Sequence, residues 1–87
     1  MSAGFFEGPP DLAAEVVSPT DAWQDVESKV AMWLEHGCLS CWIIDPRTRR
    51  IVIHARDSRI TSLKPPEKLQ DPVLPGFRVP VLAVFAR

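Results

Sequence analysis

Long apolar runs are missing from this chain of 87 residues. None approaches the roughly 18 consecutive apolar residues of a membrane helix, which excludes a helical span. The start, MSAGFFEGPPD, has neither a basic beginning nor a long apolar stretch. It does not read as a secretory signal, and the expected address is the cytoplasm. Cysteine is scarce: Cys38 and Cys41 form a single C-x-x-C pair. A structural zinc ion takes about four ligands. No second pair exists, and His36 and His54 sit at spacings that match no common zinc pattern. No helix start follows the pair to stabilise a thiolate, so the expectation is two small apolar residues near the start of a strand. No serine or cysteine occupies a recognisable nucleophile turn, and there is no internal repeat or low-complexity tract.

Basic residues are nearly absent from the first part of the chain. Residues 1–36 carry seven acids and one base, Lys29, whereas residues 37–87 carry nine bases and four acids. The formal net charge of −1 hides this asymmetry. Five arginines cluster between positions 47 and 59: Arg47, Arg49, Arg50, Arg56 and Arg59. Two readings fit them. They can meet phosphates, or they can charge a hairpin edge against edge-to-edge pairing. The hydrophobic share of 46% is that of a globular protein rather than a disordered one. A chain near this length makes one small domain, burying roughly 60% of its unfolded surface or a little more.

Residues 1–10, with Gly4, Gly8, Pro9 and Pro10, read as a loose entry segment, and residues 11–87 as the domain. Residues 11–17 read as a strand whose short apolar run suits burial on both faces. Ser18-Pro19-Thr20-Asp21 is a helix start: Ser18 or Thr20 can cap, Pro19 suits the first turn, and Asp21 favours the positive dipole end. The helix is expected over about residues 20–36, with Trp23, Val26, Val30, Trp33 and Leu34 as its buried stripe. Gly37 is the expected residue that stops it. Residues 41–44 and 51–54 read as hairpin strands around a turn at 45–49, and 59–63 as a third, weaker strand. Residues 64–76, punctuated by Pro65, Pro66, Pro72, Pro75 and Gly76, read as loop. The tail VPVLAVFAR fits a short helix with Pro80 in its first turn, or a terminal strand; periodicity over so few residues does not separate them. The expected architecture is therefore α/β: strand, helix, two or three strands, and a short C-terminal element.

Glu15 stands alone in the apolar strand. A buried carboxylate that stays ionised without a partner costs roughly several kcal/mol, and metal-dependent chemistry is a common reason to keep one. Alternation puts Asp11, Ala13, Glu15 and Val17 on one face. At about 3.3 Å per residue, Asp11 and Glu15 lie roughly 13 Å apart. That is too far for both to hold one Mg²⁺ through bonds of about 2.0–2.1 Å. Asp11 is then a polar residue at the strand start or an outer-shell group, and a co-ligand must come from a neighbouring strand or another chain. Lys29 lies on the flank of the helix stripe, from which it can reach back to Glu15. There it can orient an attacking water and offset phosphate charge, or it is an ordinary snorkelling lysine.

PDLAAEVVSPTD, then DVESKVAMWLEHG, then CWIIDPRTRRIVIH, then VLPGF resemble the Uma-type restriction endonuclease family of the PD-(D/E)XK nuclease superfamily. The ordered set covers Pro10 to Ala86. The resemblance implies a restriction-endonuclease-like core and cleavage of DNA phosphodiesters dependent on Mg²⁺ or Mn²⁺. Residue by residue, it implies that Glu15 is the metal-binding carboxylate, that the backbone carbonyl of Val16 is an extra ligand, and that Asp11 matches the family's aspartate at the strand start. Val17 stands where the superfamily motif has its lysine, and Lys29 on the helix replaces that lysine. Apart from the resemblance, the arginine cluster itself makes Arg47, Arg49 and Arg50 candidate DNA contacts. Two departures accompany the match. Ser40-Cys41 replace an acidic residue before Trp42. Members also usually carry a further N-terminal half whose strand bears the first metal-binding aspartate. The expectation is thus the C-terminal half of a nuclease, completed by a homodimer or a missing N-terminal half. The alternative is a catalytically inactive remnant that self-associates or binds DNA.

Overall fold

A computed structural model describes residues 11–85 of the chain. The elements are β1 (Leu12–Val16), α1 (Trp23–Glu35), β2 (Ser40–Asp45), β3 (Arg50–Ala55), β4 (Ile60–Leu63), β5 (Lys68–Gln70), β6 (Arg78–Pro80) and α2 (Val81–Phe85). The first four strands form one sheet in sequence order, and β5 and β6 form a second, two-stranded sheet. β1 runs parallel to β2, with Glu15 opposite Ile43 and Val16 opposite Ile44. Parallel neighbours need a crossover, and α1 supplies it. The β2–β3 and β3–β4 pairs are antiparallel. No described helix is long and apolar enough to cross a membrane.

The four-stranded sheet is covered on both faces. On one, Ala13, Cys38, Cys41 and Ile43 pack with Val26 and Val30 of α1, and Trp33 and Leu34 close over them. On the other, Trp42, Ile51 and Ile53 pack with Leu69 of β5 and Val81 of α2. Both cysteines are free and buried, as expected of small apolar residues. Burial first, then the neighbouring Cys38 and Glu15, push the Cys41 thiol up to about 12.

α1 starts later than expected, at Trp23, with Ala22 as its cap and no side-chain cap bond. The preceding residues close a turn of their own. The Ser18 N–H donates to Asp21 Oδ2 at 2.9 Å, and the Asp21 N–H donates to the Ser18 carbonyl at 3.0 Å. The Ser18 and Thr20 hydroxyls bond each other at 3.0 Å, so neither caps the helix. Trp23 consequently leaves the stripe and is 61% exposed. The other end matches expectation. Gly37 holds φ 100°. Its N–H donates to Leu34 and that of Cys38 to Trp33, which closes a Schellman motif.

The stretch 64–76 is not all loop, because β5 lies inside it and pairs with β6 through Leu69 opposite Val79. The tail is strand and then helix. Pro80 ends the β6 ladder, a place where its missing N–H costs little, and the Val81 N–H donates to the Glu67 carbonyl at 2.9 Å. The small sheet is tied to the large one through Asp71, which is 7% exposed. Asp71 accepts bonds from the Ser40 hydroxyl, from Trp42 Nε1 at 2.8 Å and from the Val73 N–H at 2.9 Å. The Trp42 ring also meets Phe77 at a centroid distance of 5.8 Å.

Burial alone would raise the Asp71 pKa, but its hydrogen bonds from Ser40, Trp42 and Val73, with the Arg59 charge, hold it below the ordinary 3.8. A depressed folded value contributes stability that is complete above the ordinary pKa and lost as pH falls through the folded one. Asp71→Asn is expected to lower unfolding free energy by about 1–3 kcal/mol at neutral pH. In urea melts across pH, that deficit should shrink below pH ~4; a deficit independent of pH would show that Asp71 charge carries none of it.

Candidate active site

Local geometry places Glu15 at the rim of the sheet. Odd-numbered residues of β1 turn their backbone groups toward β2: the Val17 N–H donates to the Ile44 carbonyl at 2.9 Å, and the Asp11 carbonyl accepts from Leu39 at 2.8 Å. Alternation then turns the Val16 carbonyl away from β2, to the outer edge of β1. Among the described residues no strand pairs with that edge. Val16, expected to be buried on an inner strand, is accordingly 63% exposed.

The Glu15 side chain points to the face that α1 covers, and the residue is 8% exposed. Two α1 residues one turn apart, Lys29 and Trp33, lie over it, as the i, i+4 spacing requires. The Trp33 indole Nε1–H donates to Glu15 Oε2 at 2.9 Å. The Lys29 ammonium stands 3.9 Å from Oε1, with its side chain 51% exposed. These contacts differ in kind. The indole bond is within the range of a charge-assisted hydrogen bond, whereas 3.9 Å is an ion pair without one. Oε2 is thus locked, and among the described residues Oε1 has a cation nearby but no hydrogen-bond donor.

A hollow beside this pair is lined by Glu15, Val16, Val17, Asp21, Val26, Lys29 and Ile43. Val17 also lines the next hollow, with Ser18, Pro19, Asp45, Pro46 and Arg47. The structure therefore brings Glu15 and Lys29 together and sets the Val16 carbonyl at the adjoining edge. Asp11 sits before the other end of β1, where its carbonyl holds Leu39 and Ser40. Any part it has at Glu15 passes through intervening groups. The arginines divide. Arg47 and Arg49 lie in the turn between β2 and β3, and Arg50 opens β3, at the end of the sheet nearer Glu15. Arg56 and Arg59 lie past the far end of β3, where Arg59 Nε donates to Asp57 Oδ2 at 2.8 Å.

Sequence reasoning placed Trp33 in the core stripe and missed its bond to Glu15. The signal was available, since a buried indole N–H needs an acceptor and Glu15 was the apolar strand's one carboxylate. Its sequence position marks Asp21 only as a dipole partner, yet it lines the same hollow as Glu15.

A carboxylate on a strand that is the sheet's edge among the described residues, covered by a crossover helix that brings it a lysine, sits here on a nuclease fold of the restriction-endonuclease type. A solved structure from Anabaena variabilis ATCC 29413, described as "a putative nuclease belonging to DUF820", shares that fold with a TM-score of 0.81 at 21% identity. The match covers 92% of this chain and 46% of that one, so the chain spans about half the length of the solved protein. The family model Uma2, "Putative restriction endonuclease", matches residues 2–84, and the chain belongs to that family. No curated protein matches it in sequence.

Trp33→Phe keeps an aromatic ring over the strand and removes only the N–H donor. It should lower stability by about 1–3 kcal/mol. In a cycle with Glu15→Gln, the coupling energy should exceed roughly 0.5 kcal/mol. Zero coupling in denaturant titrations would mean that the bond does not hold the carboxylate.

Proposed function

We propose that this chain carries the cleavage half of a divalent-metal-dependent DNA endonuclease, which hydrolyses phosphodiester bonds with Mg²⁺ or Mn²⁺. The observation that carries the reading is the unequal treatment of the two Glu15 oxygens. Oε2 is bonded by Trp33, while Oε1 is left beside a single ammonium at 3.9 Å. Oε1, with no donor among the described residues, is thereby open to a further ligand.

The donor set suits a hard cation. Mg²⁺ is usually bound through one or two carboxylates together with waters and substrate phosphates. Glu15 and the Val16 carbonyl would hold it here. Among the described residues no three His, Cys, Asp or Glu side chains gather into a fuller metal group. A second carboxylate would come from a second copy of the chain or from a further N-terminal half. When bound, the ion supplies Lewis-acid polarisation of the scissile phosphate and a more acidic water. The chain's own residues do the rest. Trp33 fixes the Glu15 carboxylate against rotation. Lys29, half exposed, holds its ammonium where it orients the attacking water and offsets the charge that grows on the phosphoryl oxygens. Family membership supports DNA as the substrate class.

A second reading is a catalytically silent member of the family that persists as a small self-associating or DNA-binding domain. The lack of a three-ligand group among the described residues favours it.

Supercoiled plasmid with Mg²⁺ or Mn²⁺ separates the two. Nicking by the wild-type chain should fall by about 10²-fold or more in Glu15→Gln and in Lys29→Met. Calorimetric Mn²⁺ binding should be lost in Glu15→Gln and survive in Lys29→Met. Folded wild-type protein that neither nicks nor binds Mn²⁺ would establish the silent reading.

A further inference from the structure

The five arginines are close in sequence but not in space, and the division follows the proposed site. Glu15 lies opposite Ile43, and Asp45, two residues on, opens the turn that holds Arg47 and Arg49. Two residues of strand span roughly 7 Å, so the turn begins close to Glu15 along the sheet. The hollow beside Glu15 and Lys29 and the hollow that reaches Arg47 have Val17 in common in their linings.

The turn is built to hold charge outward. The Arg47 N–H donates to Asp45 Oδ1 at 3.0 Å, which pins the backbone while the guanidinium stays exposed. Arg49 adopts φ 55°, a left-handed conformation that glycine or asparagine takes with less strain. With Arg47 and Arg50, Arg49 gives three exposed side chains, none ion-paired among the described residues. At the opposite end, Arg59 is held by Asp57 and Arg56 Nη1 reaches the Gly37 carbonyl at 3.5 Å. Only the first group, unpaired among the described residues, lies at the carboxyl end of β1 and β2 next to Glu15.

We propose that the β2–β3 turn is the phosphate-binding arm of this site. Arg47, Arg49 and Arg50 grip the DNA backbone as it leaves Glu15 along the carboxyl end of β1 and β2, and Arg56 and Arg59 take no part. The inference rests on the phosphodiester reading for its direction, but its test does not require cleavage. The arm reads backbone charge rather than sequence, so its removal weakens binding to all DNA alike.

The test is the salt dependence of binding to a fluorescein-labelled DNA duplex in EDTA, followed by anisotropy, with the full chain. The variants are R47Q/R49G/R50Q, whose glycine keeps the φ of the turn, and the control R56Q/R59Q. The first should bind at least about tenfold more weakly at low salt. Its slope of log K against log salt should be shallower by about 0.9 for each phosphate no longer neutralised. The control should bind as wild type. Equal losses in both variants, wild-type binding by the turn variant, or no DNA binding by the wild-type chain would each overturn the proposal. If the turn variant loses binding while folded wild-type protein neither nicks plasmid nor binds Mn²⁺, the nuclease reading falls and the arm stands. If plasmid is nicked and the turn variant binds normally, the reverse holds.

Discussion

A carboxylate withdrawn from water must be met by donors, and this sheet holds one such carboxylate on each face. Asp71, on the face of β5 and α2, is met by a hydroxyl, an indole and a backbone N–H. Glu15, on the face of α1, is met by one indole, with a lysine at ion-pair distance. The two use the same device, a tryptophan N–H, to different degrees of completion. Full satisfaction makes Asp71 a tie that fastens the small sheet to the large one. Partial satisfaction leaves Glu15 Oε1 beside the Lys29 ammonium with no hydrogen-bond donor among the described residues. Both depend on the register of β2, which carries Ser40 and Trp42 on one face and Cys41 and Ile43 on the other.

The parallel pairing of β1 with β2 governs the position of everything else at the site. It puts the carboxyl end of β1, the turn at residues 18–21 and the β2–β3 turn at one end of the sheet. It also leaves β1 with a partner on only one side among the described residues. The outward carbonyl of Val16 is a consequence of that edge. The match to about half of the DUF820 structure is consistent with a family fold in which more protein lies beyond this core. The chain belongs to the Uma2 family and shares the fold of that nuclease.

Much of this was legible from residue patterns. The strand at Glu15, the helix stripe from Val26 to Leu34, the stop at Gly37 and the hairpin around Pro46 all rest on local signals of periodicity and turn chemistry. Lys29 was expected on the helix flank, and it lies there beside Glu15. The helix start was misplaced because Ser18, Thr20 and Asp21 satisfy one another in a turn, a choice between two local hydrogen-bond schemes that composition does not reveal. β5 was hidden among prolines because a three-residue strand has no periodicity to detect; its partner lies downstream, with Leu69 opposite Val79.

By itself, then, the sequence determined the family pattern, the lone carboxylate in an apolar strand and the helix that follows it, because these follow from neighbours within a few residues. Only the tertiary structure decided that Trp33 locks Glu15, that Asp71 joins the two sheets, and that five arginines close in sequence serve opposite ends of the molecule. Each of these joins residues separated by strand pairing or helix packing. The side-chain distances that define them exist only once the sheet has chosen its register.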